Sequence, residues 1–199
     1  MKYPVYKITI DDTVSGVEKI SLVHAPAVES NFLAFDEEHP EKAFRFSTDE
    51  EQHIIFGCAL RCGFPIYRRD TVRGEYYVVF DKDTIKQINE KFAKDANFNS
   101  VNLDHSEDTD GIYMTQIFIK DIEKGINPTD FSDIENGSLF VEYKVENQGV
   151  WDGIKDGSYL GMSVEGVFKL IDTHLNIEMA SEQPEEQDEI DQLVDEILK

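Results

Sequence analysis

An α+β fold is predicted for residues 52–172, and three observations predict it. Runs dense in β-branched and aromatic residues, "HIIFGCALRCGFPI" and "EYYVVF", flank the polar "YRRDTVRG" and read as paired strands around a turn. The segment "DKDTIKQINEKFAKDA" opens on a capping aspartate and spaces Ile85, Ile88 and Phe92 as one face of a helix. Four more strand-like runs follow it, "SVNLDH", "GIYMTQIFIKD", "GSLFVEYKV" and "GMSVEGVFKLI".

In chain order, residues 1–36 hold two short apolar runs, "VYKITI" and "VEKISLVHAPAV", around the turn-rich "DDTVSG". They predict an N-terminal β arm or hairpin. Residues 37–51, "EEHPEKAFRFSTDEE", are charged, contain a proline and read as a linker. The compact domain spans 52–172, and between its last two strands "VWDGIKDG" reads as a short helix closed by a glycine. Residues 173–199 form an acidic tail with nine acidic residues and one lysine. Within it Ile190, Leu193, Val194, Ile197 and Leu198 follow the spacing of an amphipathic helix, suited to packing on its own domain or to binding a partner helix.

The charge balance excludes several function classes. With 19 Lys and Arg against 41 Asp and Glu, the net charge of −22 leaves no clustered cations for nucleic-acid phosphates or for an anionic membrane surface. No secretory signal or membrane-length apolar run is present, so a reducing cytoplasm is expected. Cys58 and Cys62 lack a second Cys or His pair and read as small apolar fillers of a strand. No phosphate-binding glycine loop, EF-hand spacing or metal-ligand set occurs; His24 in "HAPAVES" stands without a ligand partner, and Arg68 and Arg69 read as a solvated turn. No cofactor or metal is expected.

Chemistry points elsewhere. In "YLGMSVEGVF", Gly161 and Gly166 bracket Ser163 inside a strand-like run, and a strand glycine marks a bulge or a close backbone approach. His105 ends the strand "SVNLDH" and enters a polar turn, a position where a rigid support can present a functional side chain. A serine hydroxyl becomes a competent nucleophile when an imidazole takes its proton, so this pair on adjacent strands would make an acyl-transfer site. The group that orients the imidazole stays open: Glu165 shares a strand face with Ser163, while Asp172, His174 and Glu107 are further candidates. Asp104 is disfavoured because it neighbours His105 and points to the opposite face.

Five pieces in order, "ISLVHAPAVESNFLAF", "GCALRCGFPIYRRD", "GEYYVVFDKDTI", "NSVNLDHS" and "VWDGIKDGSYLGMSVEGVF", resemble the XkdF-like family of phage prohead, or capsid maturation, serine proteases. The likeness covers most of residues 17–168. It implies an assemblin-like fold, with a β-barrel core and surrounding helices, and a catalytic histidine and serine on neighbouring strands. Carried over by position, these are His105 and Ser163; the third member varies in that class, and Glu165 is taken for it here on its shared strand face with Ser163. Relatives often carry a Glu-Ser-Trp-like stretch where this chain has "QIFIKD", so Gln116 stands in place of a carboxylate. The implied activity is endopeptidase cleavage of scaffold or capsid-protein segments inside the assembling prohead in the host cytoplasm. Self-cleavage is a further implication, for which composition makes "HAPAVES" and the acidic linker the candidate segments, and a homodimer is a candidate assembly. The competing expectation is a catalytically silent scaffold or minor capsid component that binds capsid proteins through its acidic tail.

Overall fold

A computed structural model of the chain describes residues 2–10, 16–23, 46–105 and 107–178. The amphipathic helix expected near the C-terminus, "HAPAVES" and most of the charged linker lie outside them. The first strands are β1 (Lys2–Thr9), β2 (Val17–Val23), β3 (Ser47–Asp49), β4 (Ile54–Leu60), β5 (Ile66–Asp70) and β6 (Gly74–Val79). Helix α1 (Lys82–Lys94) follows, then β7 (Val101–Leu103), β8 (Glu107–Asp108), β9 (Ile112–Ile119) and β10 (Leu139–Val145). Helix α2 (Gln148–Lys155), β11 (Gly161–Gly166) and β12 (Lys169–Glu178) complete the series.

These strands build three four-stranded sheets with orders β12-β1-β6-β5, β3-β4-β10-β9 and β11-β2-β7-β8. The α+β class therefore holds, but among the described residues the sheets remain open and do not close into the expected barrel. The N-terminal strands also differ from an arm. β1 pairs antiparallel with β12 and parallel with β6, and β2 pairs antiparallel with β11 and parallel with β7. Each is an interior strand of its own sheet, because distant strands on both flanks satisfy its backbone groups and leave no edge for a β1–β2 hairpin. Two further boundaries move: Ser47–Asp49 is a strand where a linker was expected, and residues 173–178 extend β12.

Local expectations near the helices hold. Asp81 caps α1, its carboxylate accepting from Thr84 N at 2.7 Å, and Ile85, Ile88 and Phe92 are buried. α2 ends shortly before Gly157, which has φ 81°. The paired strands around the polar turn are β5 and β6, while β4 joins another sheet. "YRRD" is strand, and the turn shrinks to the residues after Asp70, whose carboxylate accepts from Val72 N at 2.8 Å and Arg73 N at 2.6 Å. Arg68 is accordingly half-buried rather than part of a solvated turn.

The site depends on the two faces of the β11-β2-β7-β8 sheet. Ile20, Leu22, Val101 and Met162 enter the main hydrophobic cluster with Trp151, Tyr143 and Phe92. Side chains alternate along a strand, so the intervening Lys19, Ser21, Asn102, Ser163 and Glu165 share the other face. One side of the sheet is core and the other is polar.

Candidate active site on the polar face of the sheet

Register aligns the polar side chains. Ser163 on β11 lies opposite Ser21 on β2, which lies opposite Asn102 on β7, and Glu165 lies opposite Lys19. Ser21, Asn102 and Ser163 are buried, at 0 %, 3 % and 8 % exposure. β11 is the edge of the sheet, so Ser163 has one flank without a strand neighbour in it, whereas Ser21 is flanked on both sides.

His105 arrives from the turn after β7. Asp104 and His105 both have left-handed backbones, with φ 47° and 57°, a conformation that costs non-glycine residues about 1–3 kcal/mol each and that recurs at functional sites. The turn is pinned to β2 by Asp104 N donating to the Leu22 carbonyl at 3.0 Å. This geometry carries the imidazole back over the sheet. Its Nδ1 lies 2.8 Å from Ser21 Oγ and 3.5 Å from Glu165 Oε2. Asn102 Nδ2 holds the same Glu165 oxygen at 2.9 Å. In the tautomer with its proton on Nδ1, that nitrogen can donate to Ser21 Oγ and Nε2 is left as an acceptor.

The structure thus brings Glu165 to His105, and Ser163 lies two residues, roughly 6–7 Å, along β11 from Glu165. It does not set the histidine and serine strands side by side as the sequence suggested. β2 stands between them, and the hydrogen bond His105 makes is with Ser21. Two other candidates for the third group lie apart. Asp172 and His174, 3.6 Å from each other, sit on β12 in a different sheet. Asp104 stays exposed in the turn. Gln116, on β9 in the third sheet, donates to Glu142 Oε1 at 3.0 Å and lines an open groove of about 350 Å³ with Phe56, Phe118 and Ile126.

One of the bracketing glycines, Gly166, also finds a physical role. A Cβ on Gly166 would meet the Gly16 carbonyl oxygen at 2.1 Å, and the β11–β2 register shifts between Glu165 and Gly166. The close backbone approach predicted for Gly166 is therefore made by the start of β2. Sequence reasoning missed Ser21, Asn102 and Lys19. Their signal was available in "VEKISLV", where a polar Lys and Ser alternate with buried apolar residues. Lys19 completes the polar face through an ion pair with Asp108, whose hydrogen bond raises the lysine's pKa.

Thiol chemistry has no foothold here. Burial pushes Cys62 up to about 11 and Cys58 further still, so both remain neutral thiols packed in the interior near neutral pH. Among the described residues no group of His, Cys, Asp and Glu is arranged to hold a metal ion. Among them, too, no helix is long and apolar enough to cross a membrane.

Residues 44–172 match the family model described as "Putative phage serine protease XkdF". The chain belongs to this XkdF family of phage serine proteases. No curated protein and no solved structure matches it. The matched segment contains His105, Asn102, Ser163 and Glu165 but begins after β2, so the strand bearing Ser21 lies outside it.

Proposed function

We propose that this XkdF-family protein is a serine endopeptidase of phage head maturation, with Ser163 as nucleophile, His105 as general base and Glu165 as the group that orients the imidazole. The observation that carries the assignment is the Glu165 carboxylate 3.5 Å from His105 Nδ1, on the strand that also presents Ser163. In the acylation step the Ser163 hydroxyl gives its proton to His105 Nε2 as Oγ bonds to the peptide carbonyl carbon. Collapse of the tetrahedral adduct breaks the C–N bond, and the imidazolium returns the proton to the leaving amine. Water then repeats the sequence to release the acyl group. The Glu165 charge stabilises the transient imidazolium, and Asn102 keeps that carboxylate in place.

The natural substrates in this reading are scaffold and major capsid proteins within the assembling prohead, and the chain's own "HAPAVES" or acidic linker is a candidate self-cleavage segment. A homodimer is the proposed assembly. The test is intact-mass spectrometry of the wild-type chain, Ser163→Ala and His105→Ala, each incubated alone and with the scaffold and major capsid proteins of the same phage. The expected result is defined fragments from the wild type, with a loss of roughly 10⁴-fold or more in both variants. Intact partners in every reaction would contradict it.

A second reading has its own observation, since His105 is hydrogen-bonded to Ser21 and not to Ser163. In that reading the chain is a catalytically silent scaffold or minor capsid component whose acidic tail binds capsid proteins. Co-assembly lost on deleting residues 173–199, with Ser163→Ala harmless, would support it.

A further inference from the structure

We propose that Ser21 is a positioning residue of this site: its hydroxyl oxygen accepts the Nδ1–H of His105 and fixes the tautomer in which Nε2 is free to take the Ser163 proton. The inference rests on the protease reading above and adds to it a residue from a strand outside the family-matched segment.

Three features carry it. The Ser21 Oγ to His105 Nδ1 distance of 2.8 Å is a full hydrogen bond, shorter than the 3.5 Å from the same nitrogen to Glu165 Oε2. Ser21 is wholly buried on an interior strand, while its partner's side chain is 41 % exposed, so the rigid member of the pair is the serine and the member it restrains is the imidazole. Finally, the register sets Ser21 between Ser163 and Asn102, the residue that holds Glu165, so one row of side chains links every member of the site. The Asn102 Oδ1 beside it is buried without a hydrogen-bond partner among the described residues, which leaves an open acceptor on this face.

The alternative, Ser21 itself as nucleophile, conflicts with its place. A peptide carbonyl would have to reach an interior strand at a residue with 0 % exposure, whereas Ser163 lies on the edge strand. Ser21 also contacts the histidine nitrogen that faces Glu165, whereas in a serine–histidine–carboxylate arrangement the nucleophile contacts the opposite ring nitrogen.

Two measurements on the full chain test the proposal. The first follows labelling by a fluorophosphonate probe with peptide mapping, in wild type, Ser21→Ala, Ser21→Thr, Ser163→Ala and His105→Ala. The expected label is on Ser163, slowed about 10- to 100-fold in Ser21→Ala, the loss expected for one charge-assisted hydrogen bond, and restored by the hydroxyl of Ser21→Thr. A label on Ser21, or Ser21→Ala labelling at the wild-type rate, overturns the inference and leaves the Ser163 reading open to its own test. An unlabelled wild type, or a label insensitive to His105→Ala, overturns the protease reading and the inference with it. The second measurement needs no variant: ¹⁵N NMR of the His105 ring is expected to show the proton of the neutral imidazole on Nδ1. The opposite tautomer, with the proton on Nε2, overturns the proposal whatever the variants do.

Discussion

Gly166 and Glu165 are consecutive residues with unlike tasks, one steric and one electrostatic. Replacing Gly166 by Ala drives a Cβ to 2.1 Å from the Gly16 carbonyl oxygen, and because the obstacle is backbone it cannot rotate aside. Gly166→Ala is expected to destabilise the fold by roughly 3 kcal/mol, at the upper end for overpacking, and to loosen β11 where it carries Ser163. Urea denaturation measures the first effect; a change of a few tenths of a kcal/mol would show that β11 is free to move off β2. Glu165→Gln keeps the size of the side chain and removes its charge. Under the proposed mechanism cleavage is expected to fall about 10³- to 10⁴-fold while the melting temperature hardly changes. At this scale the sequence offered Ser163, His105 and Glu165 as candidates, because their side chains have recognisable chemistry and because a two-residue step keeps Ser163 and Glu165 on one face; the structure adds the approach of Glu165 to His105. Ser21 could not be assigned, since a serine in an apolar strand carries no chemical label until a tertiary partner is known. The left-handed turn that swings His105 over β2 is likewise a product of the Asp104 contact with Leu22, which no local propensity encodes.

Helix α1 shows what a single element owes to its first residue. Asp81 accepts from Thr84 N and pairs with Lys7 of β1, tying the helix start to the neighbouring sheet. Burial alone would raise its pKa, but the hydrogen bonds from Lys7 and Thr84 outweigh that effect and hold it below the ordinary value. A carboxylate depressed in the folded state contributes stability above its unfolded pKa of about 3.9 and loses that contribution as pH falls through the lower folded value. Asp81→Ala is therefore expected to cost about 1–2 kcal/mol at pH 7 and to show a gap from wild type that narrows below about pH 4. Equilibrium unfolding at pH 7 and pH 3 decides it, and a gap that stays constant would contradict the account. Elements of this kind were legible because the capping aspartate and the Ile85, Ile88 and Phe92 spacing are local. The partners of β4 and β5 were not, because strands adjacent in sequence here join different sheets.

For the molecule as a whole, the decisive feature is that β1 and β2 are interior strands of two sheets whose other members come from much later in the chain. Pairings of such long sequence separation make the fold depend on its first strands and make it slow to form. Deleting residues 1–23 is expected to abolish the cooperative thermal transition, and a truncated chain that melts like the full one would show that β1 and β2 are accessory. Sequence alone reads these two runs as a detachable arm because nothing local distinguishes a hairpin strand from one that inserts between distant partners. The family match, which begins at residue 44, contains Ser163, His105 and Glu165 but not β2, the strand that stands between β11 and β7. Whether these groups form a working serine protease is answered most directly by mapping the covalent adduct of a fluorophosphonate on the wild-type chain beside His105→Ala. The account predicts one adduct, on Ser163, that His105→Ala all but abolishes. An unmodified wild type, or an adduct on another serine, would contradict it.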